Sequence, residues 1–135
     1  MTSDSTSIIR ARNVMRKGGI VSIDGMATAR EAVAKMRSEK ISCLIVEKRN
    51  IDDAWGIVVV QDFIKSVIIP GRSPAEVHIY EIMTKPVITV PADMDIRYVA
   101  RLIHRAGIRR APVEDRGELI GMISLASLIL DNELF

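Results

Sequence analysis

The side chains of this chain that are placed for chemistry fall into two groups. Arg97, Arg101 and Arg105 recur every four residues, so on a helix they share one face, turned away from Ile96, Val99 and Ile103. Such a stripe serves as a solvated face, or as a dock for an acidic partner or a phosphate-bearing ligand. The second group lies where strands run into helices. Asp62 falls in the first turn of a helix, where the dipole favours an acid by a fraction of a kcal/mol, and Ser124 falls at a helix N-cap. Arg109 and Arg110 stand on a strand edge, where alternation turns one of them to solvent.

Catalytic signatures do not accompany these residues. The chain has no Gly-x-Ser-x-Gly elbow, no Walker loop and no His-Glu-x-x-His, and Cys43 has no His base in its strand context. His78 and His104 each lack a second ligand at metal spacing. The expectation is a non-enzymatic protein that requires no cofactor and holds no metal.

Bulk composition narrows the partners. Its 135 residues suit one domain able to bury roughly two thirds of its unfolded surface. Apolar residues make up 48% and aromatics only 4%, which predicts an aliphatic core with few platforms for stacking single-stranded bases. A balance of 19 Lys and Arg against 17 Asp and Glu gives +2, too mild to demand nucleic acid, which is an unlikely partner; a DNA-associated use of the arginine stripe is the weakest reading. Cys43 is alone, which excludes an intrachain disulfide and reads as a buried small hydrophobe in a reducing compartment. Met1 to Ser7 is polar and unlike a secretory signal, and no apolar run approaches the ~18 residues of a membrane helix. A cytoplasmic location without membrane contact is expected.

The elements that position these residues come twice. Val14-Met15-Arg16-Lys17 answers Ile82-Met83-Thr84-Lys85, and the short runs Ile20–Ile23 and Val87–Val90 follow. Thr28-Ala29-Arg30-Glu31 is a capping box opening a helix to about Lys40 with an apolar stripe at Ala29, Ala32, Val33 and Met36; Asp95 caps its counterpart, which Gly107 ends. Strands follow over 42–47 and 110–114. The first leads into a polar loop, Lys48 to Ala54, and the second into the hairpin turn Asp115-Arg116-Gly117-Glu118. Each copy closes on a glycine-led strand, Gly56–Val60 or Gly121–Ser124, and then a helix, about Gln61–Ile69 or Leu125–Asp131. Residues 1–13 read as a flexible leading segment. The pattern is α/β: repeat one over 11–69, a linker over 70–81 containing Pro70-Gly71-Arg72-Ser73-Pro74, and repeat two over 82–131. Units this short bury no apolar face alone, so the two are expected to pack as one pseudo-symmetric body. Surplus apolar residues on the closing helices, Phe63, Ile64, Val67, Ile68 and Ile69 on one and Leu125, Leu128, Ile129 and Leu130 on the other, point to a homodimer, with deep burial within one subunit as the alternative.

A repeated helix, strand, strand, helix unit resembles the CBS domain, named after cystathionine β-synthase. The motifs that carry the likeness are Glu-Ile-Met-Thr-Lys-Pro-Val at 81–87, Ile-Arg-Arg-Ala-Pro-Val before a turn and Gly-Met-Ile-Ser at the strand-to-helix junction. Two tandem copies form a Bateman module, and the resemblance spans about Ala11 to Leu130. It implies packing with pseudo-two-fold symmetry and a regulatory role, binding an adenine nucleotide such as AMP, ADP, ATP or S-adenosylmethionine between the copies and sensing energy or metabolite state. The family's signature is a hydroxyl at the helix start, to meet phosphate, and an Asp three residues on, to accept the ribose hydroxyls. Copy one has Asp62 but Val59 at the hydroxyl position; copy two has Ser124 but Ser127 at the acid position. Arg109 and Arg110 would meet phosphate, Ala111 and Pro112 would wall the adenine, and Thr89 completes the implied set. A ligand-free module acting on a regulated partner protein is the alternative.

Overall fold

The computed structural model describes residues 8–135, so the first seven residues of the expected flexible segment lie outside it. The elements run α1 (Ala11–Val14), β1 (Ser22–Ile23), α2 (Ala29–Glu39), β2 (Cys43–Val46), β3 (Gly56–Val59), α3 (Val60–Phe63), β4 (Val90–Pro91), α4 (Ile96–Ala106), β5 (Arg110–Asp115), β6 (Glu118–Ser124) and α5 (Leu125–Leu130). Among the described residues, β1-β2-β3 and β4-β5-β6 form two three-stranded sheets of one topology, the first pair parallel and the second antiparallel in each. A parallel first pair needs a crossover, and α2 or α4 supplies it.

Local chemistry sets the element ends. Thr28 Oγ1 accepts the Glu31 amide at 3.1 Å while Glu31 Oε1 accepts the Thr28 amide at 2.8 Å, which closes the expected capping box. Asp95 caps α4 through the Arg97 amide at 2.9 Å. Gly107 ends α4 at φ +67°, the left-handed region glycine enters freely; Lys40 ends α2 in the same region at φ +57°, where a side chain is strained. Arg116 and Gly117, both at positive φ, make the two-residue β5–β6 hairpin.

The chain divides into two compact units that do not coincide with the two sequence copies. One is Val21–Val87; the other joins the leading segment up to Ile20 to Ile88–Phe135. The opening tetrapeptides are responsible. In the first unit Thr84 bridges to Ile57, with N–H···O distances of 2.9 Å both ways; in the second Arg16 bridges to Met122 at 2.9 and 3.1 Å. Each opener therefore adds to the sheet formed by the other copy's strands. The glycine starting the covered stretch makes room for it: a Cβ on Gly56 would stand 3.0 Å from Met83 Sδ, and one on Gly121 would stand 2.6 Å from Met15 Sδ.

Two expectations are corrected here. The leading segment is anchored from Arg10 onward, because Ala11 and Val14 are buried with Val90, Val99 and Ile123, and the Ala11 and Arg12 amides donate to Met94 O and Ala92 O at 2.9 Å. The closing helix of repeat one is not one α-helix over 61–69. After α3 it widens into a π-helical turn, Ile64–Ile68, sealed by the Ile69 amide on Ile64 O at 2.9 Å. Buried Phe63 and Val67 point inward on this segment while Ile64, Ile68 and Ile69 stay exposed.

Both cores are aliphatic, as the composition requires. Leu44, Val46, Val58 and Ile79 fill one, with Phe63 at its margin; Val99, Ile103, Val113 and Ile123 fill the other. Cys43 is free and buried.

Candidate functional site

Each unit carries one strand-to-helix junction. In the Val21–Val87 unit β3 ends at Val59, paired with Cys43, and α3 begins. Val59 has no group to cap the helix. Asp62 does so from inside the first turn, its Oδ2 accepting the Val59 amide at 2.8 Å.

In the second unit β6 ends at Ser124, opposite Arg110 on β5. Ser124 Oγ accepts the Ser127 amide at 3.2 Å, and Ser127 Oγ accepts the Ser124 amide at 2.9 Å while donating to Ser124 O at 2.9 Å. Ser127 is fully buried, so it shapes the turn from inside. The Leu125 amide is taken by Arg109 O at 3.0 Å, which holds exposed Arg109 at the helix start. Arg109, Arg110, Ser124 and Ser127 are thus brought together. Ala111 and Pro112 continue along β5 as buried residues facing Ile123 and Met122 in register.

Thr89 sits elsewhere. It precedes β4, on the other side of β5 from Ser124, and donates to Glu114 Oε1 at 3.1 Å. The first unit repeats this pair, Ser22 Oγ to Glu47 Oε2 at 3.2 Å. Sequence reasoning missed both glutamates, although the aligned copies show them: Val46-Glu47 answers Val113-Glu114, and Ser22 answers Thr89.

A second omission is the polar loop of repeat one. Asp53 Oδ2 gathers Lys85 Nζ at 2.6 Å, Arg49 Nε at 3.1 Å and the Arg49 amide at 2.9 Å. The Arg49 and Lys85 hydrogen bonds hold the Asp53 carboxyl far below the usual carboxylate range. Lys48 lies 5.4 Å above the Trp55 ring, and the Trp55 carbonyl accepts the Val87 amide at 2.8 Å. The excursion ties the second opener to the first unit. No short-range signal announces that, because Asp53 and Lys85 are far apart in the chain.

Among the described residues no three His, Cys, Asp or Glu side chains converge as a metal site, and no helix is long and apolar enough to cross a membrane.

With two copies of one α/β unit in place, comparison with known proteins decides the family. The CBS-domain family model matches residues 4–69 and 79–130. The chain belongs to the CBS-domain family. An uncharacterised protein of Methanopyrus kandleri is 36% identical over 103 residues, covering 76% of this chain and 52% of that protein. The mitochondrial CBS domain-containing protein CBSX3 of Arabidopsis thaliana is 30% identical over 106 residues, covering 76% of this chain and 51% of its own length. The chain thus spans about half the length of these curated relatives. Among solved structures, a hexameric CBS-CP12 protein from bloom-forming cyanobacteria superposes with a TM-score of 0.87 at 37% identity, over 92% of this chain and 68% of that one. The tandem CBS pair and the mixed α/β class read from the sequence are therefore established.

Proposed function

We propose that this CBS pair is a non-enzymatic regulatory module that binds an adenine nucleotide at its strand-to-helix junctions and passes the bound state to a partner protein. The observation that carries the reading is the Ser124 junction. There Arg109 and Arg110 flank a hydroxyl-capped turn, which supplies cations and a hydrogen-bonding edge for phosphate. In the Val21–Val87 unit Asp62 offers a different element, since Oδ2 is spent on Val59 and Oδ1 remains to accept from a ribose hydroxyl. On this reading the Ser124 junction favours phosphate and the Asp62 junction favours ribose, each within its own unit. The exposed Ile64, Ile68 and Ile69 and the exposed Leu125, Ile129 and Leu130 support self-association, with a homodimer as the simplest form. The hexameric state of the CBS-CP12 neighbour shows that a related chain oligomerises. A cytoplasmic setting fits the free, buried Cys43.

Calorimetry and thermal unfolding against AMP, ADP, ATP and S-adenosylmethionine test the proposal. At ligand near 100 times Kd the folded state gains about 2.7 kcal/mol, a readily measured rise in Tm. Arg109→Ala and Asp62→Ala should each cut the rise. A flat response to all four ligands would reject it.

A specific observation favours a second reading, a ligand-free interaction module. The Ser127 hydroxyl both donates and accepts inside the Ser124–Ser127 box, the Ser124 hydroxyl already accepts the Ser127 amide, and buried Ser127 stands where the family signature has an acid. On that reading the thermal shift is flat while a pull-down still recovers a partner.

A further inference from the structure

We infer that the outer face of α4 docks an acidic segment of a partner protein. The helix buries Ile96, Val99 and Ile103 on one side and exposes Arg97, Tyr98, Arg101 and Arg105 on the other. It contains no acid. Asp95 at its cap is committed to Arg97, 3.0 Å from Nη2 and 3.3 Å from Nε, which leaves Arg101 and Arg105 without a carboxylate partner among the described residues. Tyr98 is 49% exposed, with the guanidinium carbons of Arg97 and Arg101 at 5.7 and 5.5 Å from its ring centroid. The ring restrains Arg101 before any partner arrives, so less rotamer freedom remains to be lost on docking.

The stripe is not a property of the repeat. The corresponding helix α2 interleaves the cations Arg30, Lys35 and Arg37 with the acids Glu31 and Glu39, so both signs are mixed along it. Only the second copy concentrates one sign.

Spacing selects the occupant. Residues one turn apart on a helix stand about 6 Å from each other, which matches carboxylates one turn apart on a partner helix or at alternate positions of a strand. Tyr98 offers apolar area to a neighbour of those acids. Duplex nucleic acid fits less well, because a face about 15 Å long cannot neutralise the roughly 6–10 phosphates of a typical DNA contact. A formal charge of +2 adds little attraction beyond the stripe.

The inference deepens the partner-signalling part of the proposed function, and its test is run without nucleotide, so that failure here leaves the thermal-shift result standing and the reverse also holds. Isotope-labelled full chain is titrated with short poly-L-glutamate and followed by NMR, with a DNA duplex of equal charge in parallel. Amide shifts concentrated on residues 97–105 are expected. Binding should weaken at least about tenfold in Arg101→Glu/Arg105→Glu, fall steeply with salt, and change little in the α2 control Arg37→Glu. Arg101→Lys/Arg105→Lys should keep most of the affinity, because it keeps the charge. Shifts centred away from α4, equal loss in the control, or tighter binding of the duplex at the same salt would each overturn it. The shift map is read on the unmodified chain, so a variant that fails to fold does not remove the test.

Discussion

The two strand-to-helix junctions share a backbone course and differ in the groups that close it. Val59 ends its strand with no capping group, and Asp62 reaches back from the first turn; Ser124 and Ser127 cap each other with hydroxyls. The amide of the residue ending the strand is taken by a carboxylate in one unit and by a neutral hydroxyl in the other, where a second hydroxyl also takes the Ser127 amide. One repeat therefore keeps negative charge at its turn while the other, beside Arg109 and Arg110, is positive. Duplication preserved the fold and let the two halves diverge in what they can attract.

The cores show the same divergence in volume. Leu44 faces Val58 in register in the first unit, and at the matching positions Ala111 faces Ile123 in the second; all four are fully buried. Size has moved from one strand to its neighbour. Leu44→Ala and Ile123→Ala should each cost about 2–5 kcal/mol, the largest effects expected, measured by denaturant unfolding. Ala111→Leu alone overpacks, whereas Ala111→Leu/Ile123→Val copies the first unit's pair and should recover part of the loss. Losses that simply add would show that the two cores are not volume-exchanged versions of one design.

The openers provide the next contrast. Gly56 accommodates Met83 beside the stiff Val46 and the Thr84 carbonyl, and a Cβ would meet them at 3.0, 3.2 and 3.3 Å. Gly121 accommodates Met15 more tightly, at 2.6 Å, with the Arg16 carbonyl 3.2 Å away. Both alanine substitutions should destabilise by about 1–3 kcal/mol. Each site has one fixed carbonyl, but the tightest neighbour of Gly121 is the flexible Met15, whereas Gly56 also faces the β-branched Val46, which cannot move aside. Met15→Ala should therefore rescue Gly121→Ala more fully than Met83→Ala rescues Gly56→Ala, which a double-mutant cycle measures.

Much of this was legible from residues alone. The Thr28/Glu31 box, the Asp95 cap, Gly107 and the Arg116-Gly117 turn are short-range signals, and each forms as its types dictate. The repeat itself predicted two copies of one α/β unit. Exchange of the openers was not legible, because Val14-Met15-Arg16-Lys17 precedes its own copy in sequence and nothing local says that Arg16 will bridge to Met122. The π-turn was hidden for another reason: Phe63 and Val67 keep an i, i+4 spacing that a regular helix would also satisfy. The Ser22–Glu47 and Thr89–Glu114 pairs were visible only as matching polar positions in two copies, without a hint that they touch.

The polar loop gives the smallest effect and shows in the acid limb of stability. Asp53 is drawn far below its ordinary value by Arg49 first and Lys85 next, and Glu81 is held at about 2 by the His78 amide and the Arg72 guanidinium. A carboxyl whose folded pKa is depressed stabilises fully above its unfolded pKa, and the contribution drains away as pH falls toward the folded value. Unfolded Asp and Glu titrate near 3.9 and 4.3, so these two contributions should be intact at neutral pH and erode below about pH 4. Asp53→Asn should lower Tm by a few degrees at pH 7 and flatten its fall between pH 4 and 2. An acid limb as steep in Asp53→Asn as in the parent chain would mean that the loop clamp contributes no net stability, and that Arg49 and Lys85 are as well satisfied by water as by Asp53.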